Sequence, residues 1–253
     1  ENEYLRVEVD PETGAPARIV DRASGVELDT HDAGLEYAIE QPGSMSAWRL
    51  QPLISVERPR AKACRRVHRG PYLARIDCDF EVSQSTFTVS YELAAGDPLL
   101  RISISGTWFE RGDSTVGIPS LRFALPVAPE DPVFTCEEPF GAVEREITYR
   151  EEVPAYRWAS VHGRFAGGSA ACVLYNDTKH GHSYHDGTLY LTLIRSSYSP
   201  DPLPEIGEHE MRLAIGIESL EDETALPVHP ITLRSELFNT PIVAVQTTQH
   251  AGS

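Results

Sequence analysis

Apolar and polar residues alternate with a period of two along much of the chain, the signature of half-buried β-strands. In "YLRVEV" Leu5, Val7 and Val9 face one way, and Arg6 and Glu8 the other. "DPETG" then supplies a turn, because proline presets φ and glycine accepts positive φ. "ARIVD", a second turn at "RASG" and the run "GLEYAIE" continue this hairpin rhythm. Further strands are predicted at 72–80, 86–93, 99–110, 121–127, 170–176, 189–195 and 211–218. Many of them are rich in β-branched residues, which suit a pleated surface. The run 189–195, "LYLTLIR", is nearly all apolar and predicts a strand covered on both faces.

The 19 prolines and 18 glycines leave almost no window long enough for an ordinary helix. About a dozen short strands would overfill a small barrel, so the pattern predicts an all-β fold, a large two-sheet antiparallel sandwich. Residues 1–218 form that sandwich, with a sub-boundary near 126–134, where prolines and acids interrupt the pattern. The stretch 218–230 reads as an exposed acidic connector.

Composition narrows the function. The formal net charge is −16, with the acids spread along the chain, which disfavours nucleic acid and anionic membrane surfaces as partners. The four cysteines, Cys64, Cys78, Cys136 and Cys172, form no C-x-x-C pair and are too sparse for a disulfide scaffold. Their expected state is reduced, partly buried thiols in a cytoplasmic protein. No signal peptide or membrane span is evident, and both ends read as cuts through a longer protein.

Chemistry-bearing residues concentrate in "NDTKHGHSYHDG" (176–187), which holds His180, His182, His185, Asp177, Asp186 and Lys179. An H-x-H pair on a strand would suit zinc. Here the neighbours are Asn, Asp, Lys and Gly, and no closed set of four ligands is nearby, so composition favours a solvated loop. Facing carboxylates would suit sugar chemistry. Among Glu137, Glu138, Glu144, Glu151, Glu152, Asp177, Asp201, Glu208 and Glu210, Asp177 stands out because it follows an apolar strand. Arg195 ends "LYLTLIR" and needs a carboxylate or a ligand oxygen as partner. Trp48, Trp108 and Trp158 are candidates for stacking on sugar faces or, more simply, for the core. No phosphate loop, G-x-S-x-G elbow or H-E-x-x-H helix is present.

Several segments, taken in order, resemble the C-terminal region of glycoside hydrolase family 38, the α-mannosidases. They are "PFGAVERE" (139–146), "EEVPAYRW" (151–158), "CVLYNDTKHGHSYHDGTLYLTLIRSSYSPDP" (172–202) and "GEHEMRLAI" (207–215). The opening 28 residues resemble the start of that region. The tail from Ser235 resembles a lead into a further β-module, so 219–253 is expected to be a connector and the truncated start of that module.

The resemblance implies a retaining, exo-acting α-mannosidase whose zinc and aspartate nucleophile belong to an N-terminal barrel outside this chain. It implies a galactose mutarotase-like sandwich that packs on that catalytic domain and lends side chains to the sugar-site rim. No cofactor is expected in this chain itself, and the candidate partners are the catalytic domain, a mannose-containing oligosaccharide and a second copy in a homo-oligomer. The family's Asn-Asp pair, lysine and glycine map to Asn176, Asp177, Lys179 and Gly181, its arginine to Arg195, and its G-x-H-E to Gly207, His209 and Glu210. The substrate-rim candidates are Asn176, Asp177, Lys179 and Arg195, in hydrogen-bonding and loop-ordering roles. His180 and His182 stand where relatives carry tyrosine, and Tyr156 where they often carry glutamine, which bears on substrate preference. The alternatives are a stand-alone carbohydrate-binding module and an aldose mutarotase or epimerase, the latter requiring a histidine facing a carboxylate, for example around His209 and Glu210.

Overall fold

The computed structural model describes residues 1–149, 151–203, 205–220 and 225–240. Among the described residues eighteen strands fall into three sheets. A small N-terminal meander holds β1 (Leu5–Glu8), β2 (Arg18–Asp21) and β3 (Glu27–Asp29).

The second sheet has six strands. Its spatial order is β13 (Val153–Pro154), β16 (Gly181–His185), β17 (Thr188–Arg195), β10 (Ile118–Pro126), β4 (Gly34–Glu40) and β5 (Leu53–Glu57). The third sheet has nine. It runs β12 (Gly141–Arg145), β11 (Glu130–Glu138), β14 (Trp158–Phe165), β15 (Gly168–Asn176), β18 (Gly207–Ser219), β9 (Leu100–Trp108), β8 (Ser85–Ala94), β7 (Leu73–Val82) and β6 (Ala61–Arg69). All pairings in the two large sheets are antiparallel. This is the large all-β sandwich that the alternation predicts.

The core is the layer between the large sheets. Leu121, Phe123 and Leu125 of β10 and Leu189, Leu191 and Leu193 of β17 meet Val89 and Tyr91 of β8, Ile102 and Ile104 of β9, and Leu213 and Ile215 of β18. Trp108 is fully buried among them, and its indole N–H donates to Ser196 Oγ at 2.7 Å. Trp158 is also fully buried, but on the opposite face of the nine-stranded sheet. Trp48, by contrast, is 68% exposed. Residues 127–129, within the proline-rich stretch, carry the chain from β10 in one sheet to β11 in the other.

One element runs against the sequence pattern. Residues Val228–Asn239 form a helix, α1, with Pro230 in its first turn, where a missing N–H is tolerated. Ile231, Ser235 and Phe238 lie on one face and dock near Trp158, Val173 and Tyr175. That docking stabilises a helix too short and too weakly patterned to be recognised from its own sequence. The expected β-module after it lies outside the described residues.

Two further expectations need correction. Cys64 and Cys78 are register partners on β6 and β7 and are joined by a disulfide, so these two are not reduced thiols. No local pattern marks that pairing, because the two cysteines meet only through strand register. Cys136 and Cys172 are free and buried. The histidine stretch is also not a solvated loop. Asp186 and Gly187 both have positive φ (50° and 68°) and form a two-residue turn between His185 and Thr188, so 181–185 becomes a paired strand. His182 consequently points into the core beside Leu191, fully buried.

Burial pushes the His182 pKa down to about 4 from 6.5. The unfolded chain therefore takes up a proton below pH 6.5 that the folded chain refuses until about pH 4. Stability is lost as pH falls through that window, by up to about 3 kcal/mol from this residue. Urea melts of His182→Leu between pH 7 and pH 4 are expected to show a flatter acid limb than wild type; an unchanged limb would contradict the burial. Thiol titration in non-reducing denaturant is expected to find two reactive cysteines of the four.

Candidate functional site

The face of the six-stranded sheet turned away from the core is polar yet largely shielded from water. Cross-strand register dictates the arrangement, since residues paired across antiparallel strands share a face. Glu36 on β4 opposes Arg122 on β10, which opposes Thr192 on β17. Tyr190 opposes Ser183 on β16. Glu36 is 2% exposed and accepts from Arg122 and, at 3.2 Å, from Arg58. The Arg122 guanidinium lies over the Tyr190 ring, 4.5 Å from its centroid. Tyr190 stacks on His185 at 4.7 Å, and Tyr149 meets His185 edge-on at 5.2 Å.

Arg195 occupies the end of β17 as predicted from sequence, and its partner is a carboxylate. Its guanidinium grips Glu40 with bonds of 2.6 and 2.8 Å and also donates to the carbonyls of Ser46 and Arg49. Glu40 additionally accepts from the Gln51 amide at 2.8 Å. Arg195 thereby ties the 41–52 segment to the sheet.

Beside this pair opens a cavity of about 410 Å³, lined by Glu40, Leu50, Gln51, Pro52, Leu53, Arg122, Tyr149, Glu152, Ser183 and Thr192. Glu152 lies next to Gly181, the residue that opens β16. Burial raises its pKa above the usual carboxylate range, and the charge of Glu40 adds to that. A hydrogen bond from Thr192 and the charges of Arg195 and Arg122 act in the opposite direction.

The other rim candidates lie at the end of β15, in the nine-stranded sheet. Asn176 is fully buried, and its Oδ1 accepts from the Lys179 amide at 2.9 Å. Its carbonyl accepts from Asn239 of α1 at 3.2 Å. Asp177 pairs with Arg212 at 3.0 Å. Lys179 is half-buried, and His180 is exposed and stacks on Tyr156 at 6.3 Å. The His180 carbonyl accepts from Ala155 at 2.9 Å, and Gly181 pairs with Pro154. The 176–181 loop thus holds the 151–157 segment that carries Glu152, while Arg195 acts on the charge of Glu152 from β17. His209 lies apart from this cluster and bonds the Glu205 carbonyl at 2.7 Å.

Glu36, Glu40 and Arg122 were missed by sequence reasoning. The available signal was charge at alternating positions inside apolar strands, "GLEYAIE" and "LRFALPV". Glu152 was one of many acids, and nothing local set it apart. The pit offers hydrogen-bond donors and acceptors against an apolar wall, which suits a neutral hydroxylated molecule. Glu40 has both oxygens engaged and is poorly placed to act as nucleophile or base. Among the described residues no three His, Cys, Asp or Glu side chains converge as a metal-ligand set, so no step through zinc is derived for this chain.

Truncating one partner of a buried ion pair leaves the other charge uncompensated, a cost of about 3–5 kcal/mol. Arg195→Met is expected to destabilise the chain by about that much in urea melts. The double variant Glu40→Gln/Arg195→Met is expected to lose less than the sum of the two single variants. Additive losses would show that the two side chains are not coupled.

The geometry can be set beside known proteins. The glycosyl hydrolases family 38 C-terminal domain model matches residues 1–203. The chain is 25% identical to the alpha-mannosidase of Saccharomyces cerevisiae over 240 residues and 27% identical to human alpha-mannosidase 2C1 over 237 residues. Each alignment covers 85% of this chain and 21% of the relative, so the chain spans about a fifth of their length. Two solved structures from Enterococcus faecalis share the fold over the whole chain. One is an alpha-mannosidase (TM-score 0.77, 13% identity, 32% of that chain) and the other a family 38 glycosyl hydrolase protein (TM-score 0.80, 14% identity, 33% of that chain). With the family model matching most of its residues, this chain belongs to the family 38 glycosyl hydrolase C-terminal domains.

Proposed function

We propose that this chain is the non-catalytic β-sandwich portion of a retaining, metal-dependent α-mannosidase acting on mannose-containing oligosaccharides. It packs on the catalytic barrel and lends residues to the rim of the sugar site. The observation that carries this reading is the family match over 1–203, in relatives about five times longer than the matched region. In this reading the metal and the nucleophilic carboxylate would belong to the catalytic barrel rather than to these residues, and the metal would supply a positive charge for orienting sugar hydroxyls.

Arg195, Asn176, Asp177 and Lys179 serve at the rim. Arg195 anchors the 41–52 segment, and Asn176 and Asp177 order the loop that presents Lys179. A neutral hydroxylated ligand suits a pit whose arginines already have carboxylate partners, since an anion would find no uncompensated positive charge there.

The 253-residue chain alone is expected not to cleave p-nitrophenyl α-mannoside, with or without added zinc, and chelator is expected to leave its melting temperature unchanged. In the longer enzyme, chelation is expected to abolish turnover and Lys179→Met to raise KM more than it lowers kcat. Turnover by the chain alone would overturn the reading.

A further inference from the structure

The geometry points to Glu152 as the carboxyl that selects the ligand in the pit, and to Gly181 as the residue that seats it there. This rests on the reading that the pit receives a sugar, and it assigns the recognition to a specific side chain. The ligand class is a neutral polyhydroxylated molecule with a hydroxyl within reach of the Glu152 carboxyl.

Three observations converge. The first concerns Gly181. Its backbone is not in the positive-φ region that favours glycine, so conformation does not demand glycine at this strand position. A Cβ at Gly181 would fall 1.7 Å from Glu152 Oε1 and 2.6 Å from its Cδ, so a larger residue there would displace the end of the Glu152 side chain. A glycine inside a strand weakens it and often marks close approach by another group. Here the approaching group is the end of a carboxylate side chain.

The second concerns partners. Glu36 and Glu40 are each bonded by arginine. Among the described residues Glu152 has a hydrogen bond from Thr192 and no ion pair, although Arg195 and Arg122 stand close enough to act on its charge. It is the acid of the pit with capacity left to bond a ligand.

The third concerns placement. Glu152 lines the cavity together with Ser183, Arg122 and the apolar Leu50. Burial raises its pKa, and its carboxyl oxygens can accept from a ligand hydroxyl.

The test titrates the 253-residue chain with methyl α-mannoside, followed by NMR. Saturable binding is expected for wild type. Glu152→Gln, which keeps one donor and one acceptor, is expected to retain binding within about threefold, and Glu152→Ala to weaken it about tenfold, the loss of one good hydrogen bond. Gly181→Ala is expected to weaken binding as Glu152→Ala does in the wild-type background and to cost nothing further in the Glu152→Ala background. A general strand defect would not produce that dependence, and circular dichroism and melting temperature check that each variant folds. The assignment is overturned if wild type shows no saturable binding, if Glu152→Ala binds like wild type, or if Gly181→Ala weakens the Glu152→Ala variant by the same factor. Each of these outcomes leaves intact the chain's place in an α-mannosidase, which stands or falls on turnover by the longer enzyme.

Discussion

The inner strands of the six-stranded sheet, β16, β17, β10 and β4, are withdrawn from water on both faces, and the rest of the structure answers to that constraint. Its inner face is ordinary, with leucines and phenylalanines of β10 and β17 packed against the nine-stranded sheet. Its outer face carries charge. Glu36 and Glu40 are 2% and 4% exposed, and burying a carboxylate without a partner costs several kcal/mol. Each is therefore gripped by an arginine, Glu36 by Arg122 of the adjacent β10 and Glu40 by Arg195 of β17, one strand further on. These bonds tie β4 to β10 and, across it, to β17, so they also hold the register on which the pit depends.

The coupling extends from the sheet to its loops. Arg195 binds a carboxylate and two carbonyls of the 41–52 segment, so the wall of the pit is set by the same side chain that neutralises Glu40. On the other side, Asn176 fixes the loop into β16, and that loop holds the 151–157 segment. Helix α1 reaches the same place, since Asn239 bonds the Asn176 carbonyl and Arg212 contacts both Asp177 and the Phe238 ring. Asn176, Asp177 and Gly181 thus belong to one supporting structure beneath Glu152, although they come from both large sheets.

The histidines show how composition can mislead. "NDTKHGHSYHDG" looks like a solvated loop because it is polar throughout. The Asp186-Gly187 turn was the legible counter-signal, since that dipeptide favours positive φ at both positions and a tight hairpin. Once the hairpin forms, period two sends His182 inward and His185 outward. The strands at 61–69 and 130–138 were missed for a related reason. One is rich in arginine and the other in acids, with a proline at its third position, and both form because a neighbouring strand supplies the pairing.

By itself the sequence determined the all-β class, the large sandwich, the inward strand at 189–195 and the need of Arg195 for a partner. These depend on local alternation or on a single charge at the end of an apolar run, both readable over a few residues. Only the tertiary structure decided which partner Arg195 takes, that Cys64 faces Cys78, that 228–239 is helical, and that Glu152 lies over Gly181. Each of these is a meeting of segments distant along the chain or, for the helix, a fold induced by docking. Such meetings are fixed by strand register and sheet order, which no local pattern encodes.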